Sequence, residues 1–79
     1  MIVRGSAYKH EISDEDGIEA ASWPLVEVPL DHEDPRRFLR LGFDTRSRLL
    51  ELVVLVWDDE TEELIHAMKC RQKYLSLLD

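Results

Sequence analysis

The chain's 79 residues predict a small α+β domain: a four-stranded antiparallel meander with N-terminal helices packed on it and a short C-terminal helix. Three observations predict it. A capped, acid-led helical segment precedes four short runs of strand composition. The connections between those runs are brief and polar, and short connections join antiparallel neighbours. One run, residues 49–57 (L-L-E-L-V-V-L-V-W), is apolar almost throughout.

The length admits one domain, residues 1–79, and a domain of this size buries only about 60% of the surface its unfolded chain exposes. Hydrophobic residues at 44% and charged residues at 34% describe a globular protein, neither disordered nor fibrous.

The elements follow in order. Residues 6–10 form a turn or helical stub that sets Ile12 just ahead of a helix cap, where it can staple to the first turns. Ser13 is the N-cap, and Asp14, Glu15 and Asp16 complement the positive end of the helix dipole. Ile18, Ala20 and Ala21 face the sheet, and Trp23-Pro24 ends the helix, because a residue before proline is pushed out of the α region. Residues 25–30 (L-V-E-V-P-L) make a first strand, confined to an edge because Pro29 has no amide donor. Residues 31–35 are a solvated turn. Residues 38–44 alternate, with Phe38, Arg40 and Gly42 on one face and Leu39, Leu41 and Phe43 on the other. Thr45, Arg46 and Ser47 form a tight hairpin. Residues 49–57 are the central strand, expected to be covered on both faces by helices or a partner. Residues 58–62 turn the chain back, and residues 64–68 are the fourth strand, with His66 on the face opposite Ile65 and Ala67. Residues 71–78 close the domain as a helix, with Tyr74, Leu75 and Leu78 at helical spacing.

Charge is divided unevenly. Residues 1–35 carry nine acids against two bases, and residues 36–79 carry eight of each, which together give the net charge of −7. Such a field disfavours indiscriminate binding to nucleic acid, so an RNA contact has to be local and in the basic half. Between residues 64 and 78 lie Lys69, Arg71 and Lys73 and no acid. The single cysteine, Cys70, has no internal disulfide partner and reads as a small boundary residue. With no signal peptide and no long apolar run, the expected location is the cytoplasm, with no membrane contact.

There is no Gly-rich phosphate loop, no Ser/His/Asp signature and no C-x-x-C, so nucleotide hydrolysis and acyl transfer lack their residues. His66 and Cys70 are four apart, a metal-ligand spacing on a helix. A strand-to-helix junction separates them here, and neither His10 nor His32 is placed by a motif to complete a site, so neither a metal nor another cofactor is expected. Arg46, Arg48, His66, Lys69, Arg71, Lys73 and Tyr74 make a more productive set. Cleavage of RNA by its own 2′-hydroxyl needs a base near that hydroxyl, cations for the developing phosphorane charge and a proton donor for the leaving oxygen. His66 is the acid or base, Lys69 and Arg71 hold the phosphate, and Tyr74 stacks on a base. Each has a structural counterpart. Arg46 and Arg48 flank a turn, Tyr74 suits a helix-to-sheet core, His66 suits a hydrogen-bonded sheet position, and the cations suit ion pairs with the chain's own acids.

At these residues the chain resembles the BrnT-type toxins of type II toxin–antitoxin modules. The resemblance lies in K-H-E-I-S at residues 9–13, D-P at Asp34-Pro35, R-L-G-F-D-T-R-S-R-L-L-E-L-V-V at residues 40–54 and I-H-A-M-K at residues 65–69. That family shows K-H-G-[IV]-S, an R-x-x-x-[IL]-G strand, G-R-L-L-x-V-V and I-I-S-A-R-[KR]-A-T. The resemblance implies a RelE-like ribonuclease fold, cleavage of mRNA that arrests growth, and a small DNA-binding antitoxin that neutralises the toxin. Carried over residue by residue, Lys9 and His10 match the K-H pair and are expected at the RNA. Arg48 matches the Arg of G-R-L-L, Ala67 the Ala of S-A-R, and Lys69 the basic residue that follows. Met68 stands at the family's Arg, His66 at its Ser, and Glu11 and Ser47 at its two Gly positions. The alternative is a non-enzymatic interaction module of the same fold, whose acidic half binds a basic partner.

Overall fold

Ser13 caps the helix as expected: its hydroxyl accepts the Asp16 N–H at 3.2 Å and donates to the Asp16 carboxylate at 3.1 Å. In the computed structural model, residues 1–5 and 10–79 are described, so Lys9 and, apart from His10, the turn or stub expected over residues 6–10 lie outside the described residues. Helix α1 (Asp14–Ser22) stops where Trp23, ahead of Pro24, takes φ −128° and ψ 63°, outside the helical region.

Among the described residues five strands accompany it: β1 (Ile2–Val3), β2 (Val26–Pro29), β3 (Arg36–Phe43), β4 (Leu49–Val56) and β5 (Glu62–Lys69). They form one mixed sheet in the order β1-β5-β4-β3-β2. The antiparallel meander of β2 to β5 is present, but the sheet is not the four-stranded one expected. β1 adds a fifth strand, parallel to β5, with Ile2 opposite Glu63 and Val3 opposite Leu64. A two-residue strand has no period to read in a sequence. Arg4 fastens it, through its N–H to the Leu64 carbonyl at 2.9 Å and through its guanidinium to both Glu63 oxygens at 3.1 and 2.9 Å.

β2 is at an edge, as Pro29 requires. Leu30 N–H donates to the Arg37 carbonyl, so alternation turns Pro29 outward, and the missing donor falls on the open edge, where it discourages a further strand. Both long hairpins are built alike. Asp44 N–H donates to the Arg48 carbonyl and Ser47 N–H to the Asp44 carbonyl; Trp57 N–H donates to the Thr61 carbonyl and Glu60 N–H to the Trp57 carbonyl. Ser47 (φ 62°) and Glu60 (φ 69°) take the left-handed position of a type I turn with a bulge, a place that favours glycine. Glu11 (φ 62°) shares that conformation.

The core lies between α1 and one face of the sheet, and consists of Ile12, Ala20, Ala21, Leu50, Leu52, Val54, Leu64 and Ala67. Each fully buried leucine stabilises the fold by about 2 kcal/mol. Leu64 and Ala67 share this face although three residues apart, because the register shifts between Val53 and Val54 and leaves Ile65 as an extra residue in β5. His66, opposite Val53, therefore points to the other face. The helix sits close because each layer has a glycine at the contact: a Cβ on Gly42 of β3 would lie 2.1 Å from the Ala20 carbonyl oxygen, and one on Gly17 of α1 would lie 2.8 Å from Leu64 Cδ2.

β4 is central, but the expected cover on both faces is complete only on the α1 side. On the other side Glu51 is buried, whereas Val53 and Leu55 are half-buried. The C-terminal element also differs from expectation. It is a 3-10 helix, Gln72–Leu78, begun by Tyr74 N–H to the Arg71 carbonyl at 3.0 Å. Leu75, Leu77 and Leu78 stay exposed, so no buried apolar stripe selects the 3.6-residue period. Among the described residues no helix is long and apolar enough to cross a membrane.

Substitution at the helix seat and at the turns should act in opposite directions. Gly42→Ala is expected to cost about 3 kcal/mol or more by forcing α1 off the sheet, and Ser47→Gly to add about 0.5 to 1 kcal/mol by relieving a left-handed serine. Urea unfolding of both variants measures each effect.

Candidate functional site

Two buried carboxylates organise the β3–β4 hairpin: Asp44 braces it from within, and Asp16 ties it to α1. Asp44 accepts the N–H groups of Arg46 (2.9 Å) and Arg48 (2.8 Å) and the Arg48 Nε at 2.6 Å. Asp16, from the first turn of α1, accepts Thr45 N–H at 3.2 Å, the Thr45 hydroxyl, and Arg48 Nη2 at 3.2 Å. The Thr45 hydroxyl is the main influence that lowers the Asp16 pKa; burial opposes it and Ser13 assists. For Asp44, burial acts to raise the pKa, and the Arg48 amide and guanidinium outweigh it. Arg48 is thus an internal cation, part of the joint between helix and hairpin. Arg46 has a side chain 66% exposed, with Nη2 3.8 Å from Asp16, and faces solvent at the same corner.

A third carboxylate organises the other half of the expected site. Glu51, in the middle of β4, is 1% exposed. Its Oε1 accepts the N–H and Nε of Arg71, both at 2.9 Å; its Oε2 accepts Arg71 Nη2 at 2.8 Å and lies 3.1 Å from His66 Nε2. Burial acts to raise the Glu51 pKa, but the Arg71 hydrogen bonds, with help from His66, bring it down to about 2. Arg71 also lies over the Tyr74 ring at 5.6 Å, and the Lys73 ammonium lies over the same ring at 5.0 Å. Tyr74 is half-buried between cations, not in the core.

The two groups meet through His10, whose ring contacts that of His66 edge to face with centroids 5.6 Å apart. Beside them an open cleft of about 530 Å³ is lined by His10, Glu11, Ile12, Arg46, Arg48, Met68 and Lys69. Lys69 is exposed and has no carboxylate partner among the described residues. The structure therefore brings His10, Arg46, Arg48 and Lys69 to one cleft, with His66 against His10, and leaves Lys73 and Tyr74 on the 3-10 helix. A second cavity, about 420 Å³, is lined by Asp34, Trp57, Asp58, Asp59, Thr61 and Glu63, and its four carboxylates repel a phosphate.

Glu51, Asp16 and Asp44 are the organising residues that sequence patterns missed. A lone acid inside L-L-E-L-V-V was the available signal for Glu51. In the sequence Asp16 shows only as a first-turn acid, since its hairpin partners Thr45 and Arg48 are 29 and 32 residues away. Among the described residues no group of three or more His, Cys, Asp or Glu is placed to hold a metal ion. Burial, followed by the Glu51 charge, pushes the Cys70 thiol pKa up, away from the thiolate a nucleophile needs.

Two outcomes follow from this geometry. Since the Glu51 pKa is brought down to about 2 in the fold against an ordinary value of 4.5, its contribution is full above pH ~4.5 and is lost as pH falls towards ~2, on the order of 3 kcal/mol. Glu51→Gln should flatten the acid limb of stability measured by urea unfolding between pH 7 and pH 3. Arg48→Ala, which leaves buried Asp44 without its cation, is expected to cost about 2 kcal/mol or more, whereas Lys69→Ala stays within about 0.5 kcal/mol; thermal melts separate the two. Comparison of the chain with protein-family models, with curated proteins and with solved structures gives no match.

Proposed function

We propose that the chain is the toxin of a type II toxin–antitoxin module: a RelE-like endoribonuclease that cleaves mRNA without a metal and is neutralised by a small DNA-binding antitoxin. The observation that carries this reading is the meeting of His10 and His66 beside a cleft bearing Arg46 and Lys69. Two imidazoles in contact suit the two proton transfers of the reaction. One takes the proton of the 2′-hydroxyl as its oxygen attacks phosphorus; the other gives a proton to the 5′-oxygen as the P–O bond breaks. Lys69 and Arg46 offset the charge that builds on the phosphorane, and Lys73 and Tyr74 extend the surface for neighbouring nucleotides. The family resemblance gains support from the backbone. Glu11 and Ser47, which stand at the two Gly positions of the BrnT pattern, both adopt φ 62°, the conformation in which glycine is at ease.

One observation favours the rival reading of a non-enzymatic interaction module: Arg48 and Arg71 are engaged by Asp16, Asp44 and Glu51. Their substitution would therefore confuse stability with activity, and Lys69 and His10 are better probes. Induced alone in a bacterial host, the chain should arrest growth and fragment mRNA, and a His10→Ala, Lys69→Ala variant of equal abundance should do neither. Normal growth with intact mRNA from the unaltered chain would favour the interaction module.

A further inference from the structure

Glu51 has no reason to be in its place on packing grounds alone. It stands in a run of leucines and valines, in the central strand, 1% exposed, and an ionised carboxylate in such a place costs several kcal/mol unless it is fully satisfied. A Leu or Val there would fit the strand better. What the carboxylate achieves is to hold two side chains that both come from the far end of the chain. Arg71 grips it at Oε1 and Oε2, and His66 Nε2 shares Oε2 at 3.1 Å.

We infer that Glu51 is a positioning residue for His66, fixing the imidazole so that Nε2 carries the proton and Nδ1 presents its lone pair to the substrate. The inference rests on the ribonuclease reading above for its consequence, not for its geometry. An ionised carboxylate only accepts hydrogen bonds, and three bonds from Arg71 keep Glu51 ionised. The imidazole nitrogen that faces it must therefore be the N–H, and the other ring nitrogen is the one free to take a proton. This assigns roles within the histidine pair. His66 is the base that receives the 2′-hydroxyl proton at Nδ1, and the imidazolium so formed is stabilised by Glu51 across the ring. His10, which has no such carboxylate among the described residues, is left as the donor to the 5′-oxygen. Arg71 acts through Glu51 and need not touch RNA.

The same carboxylate also anchors the start of the 3-10 helix, because Arg71 N–H donates to it. A purely structural role would be served by Arg71 alone, so the test has to read the His66 ring itself. In nitrogen NMR of the whole chain above the histidine titration, His66 is expected to show the Nε2–H tautomer, and Glu51→Gln to lose that uniform preference. In cleavage of a mixed-sequence RNA oligonucleotide, Glu51→Gln should lower kcat about 100-fold with KM little changed, and Glu51→Asp should restore part of the loss. A Nδ1–H tautomer in the unaltered chain overturns the inference, and so does a Glu51→Gln variant that cleaves at the normal rate. Should Glu51→Gln fail to fold, the nitrogen shifts of the unaltered chain decide alone. Should the unaltered chain cleave no RNA, the ribonuclease reading falls, and the same shifts still decide whether Glu51 sets the tautomer.

Discussion

The seat of α1 on the sheet is the constraint from which the rest of the structure follows. The Ala20 carbonyl rests where a side chain at position 42 would be, and Gly17 lets the helix approach Leu64. A core of eight buried side chains can close over a chain this short only if the two layers come near enough to exclude water without large residues between them. The close seat also sets the direction of Asp16. From the first turn of α1 it reaches the tip of the β3–β4 hairpin, where Thr45 and Arg48 meet it. Helix and hairpin are therefore joined at the corner beside the cleft.

The same geometry explains how so acidic a chain carries a basic cleft. Many of its acids are internal partners. Asp16 and Asp44 hold Arg48, Glu51 holds Arg71, Glu63 holds Arg4, and Glu27 and Glu62 hold Arg40. Arg40 lies under the end of α1, where it also donates to the Ala21 carbonyl at 3.0 Å and supplies the cation that the last turn of the helix lacks. With those pairs closed, the balance at the cleft is decided by a few residues, His10, Arg46 and Lys69 set against Glu11, and net charge says little about what the cleft can bind. The carboxylates that organise the fold also settle which cations remain available.

Sequence patterns determined a good part of this protein. Ser13 and the three acids after it specify where α1 begins, Trp23-Pro24 where it ends, Pro29 which strand is an edge, and the apolar run of residues 49–57 which strand is central. These are local effects: a cap bonds three residues on, a proline acts on its neighbour, and a side-chain period is visible within one element. His66 and Lys69 were legible as chemistry for the same reason, since residue type alone names a proton carrier or a cation.

What only the tertiary structure decided is which of these groups meet. β1 pairs with β5 across some 60 residues of chain, the bulge at Ile65 puts Leu64 and Ala67 on one face, and the ion pairs of Arg48 and Arg71 join positions up to 32 apart. Such contacts depend on how far one layer stands from another and on which face a register selects, and a one-residue change of register reverses every side chain in a strand. His10 reaches His66 by a contact of the same kind: alternation puts His66 on the face opposite Ala67, and the chain ahead of α1 brings the His10 ring to 5.6 Å from it.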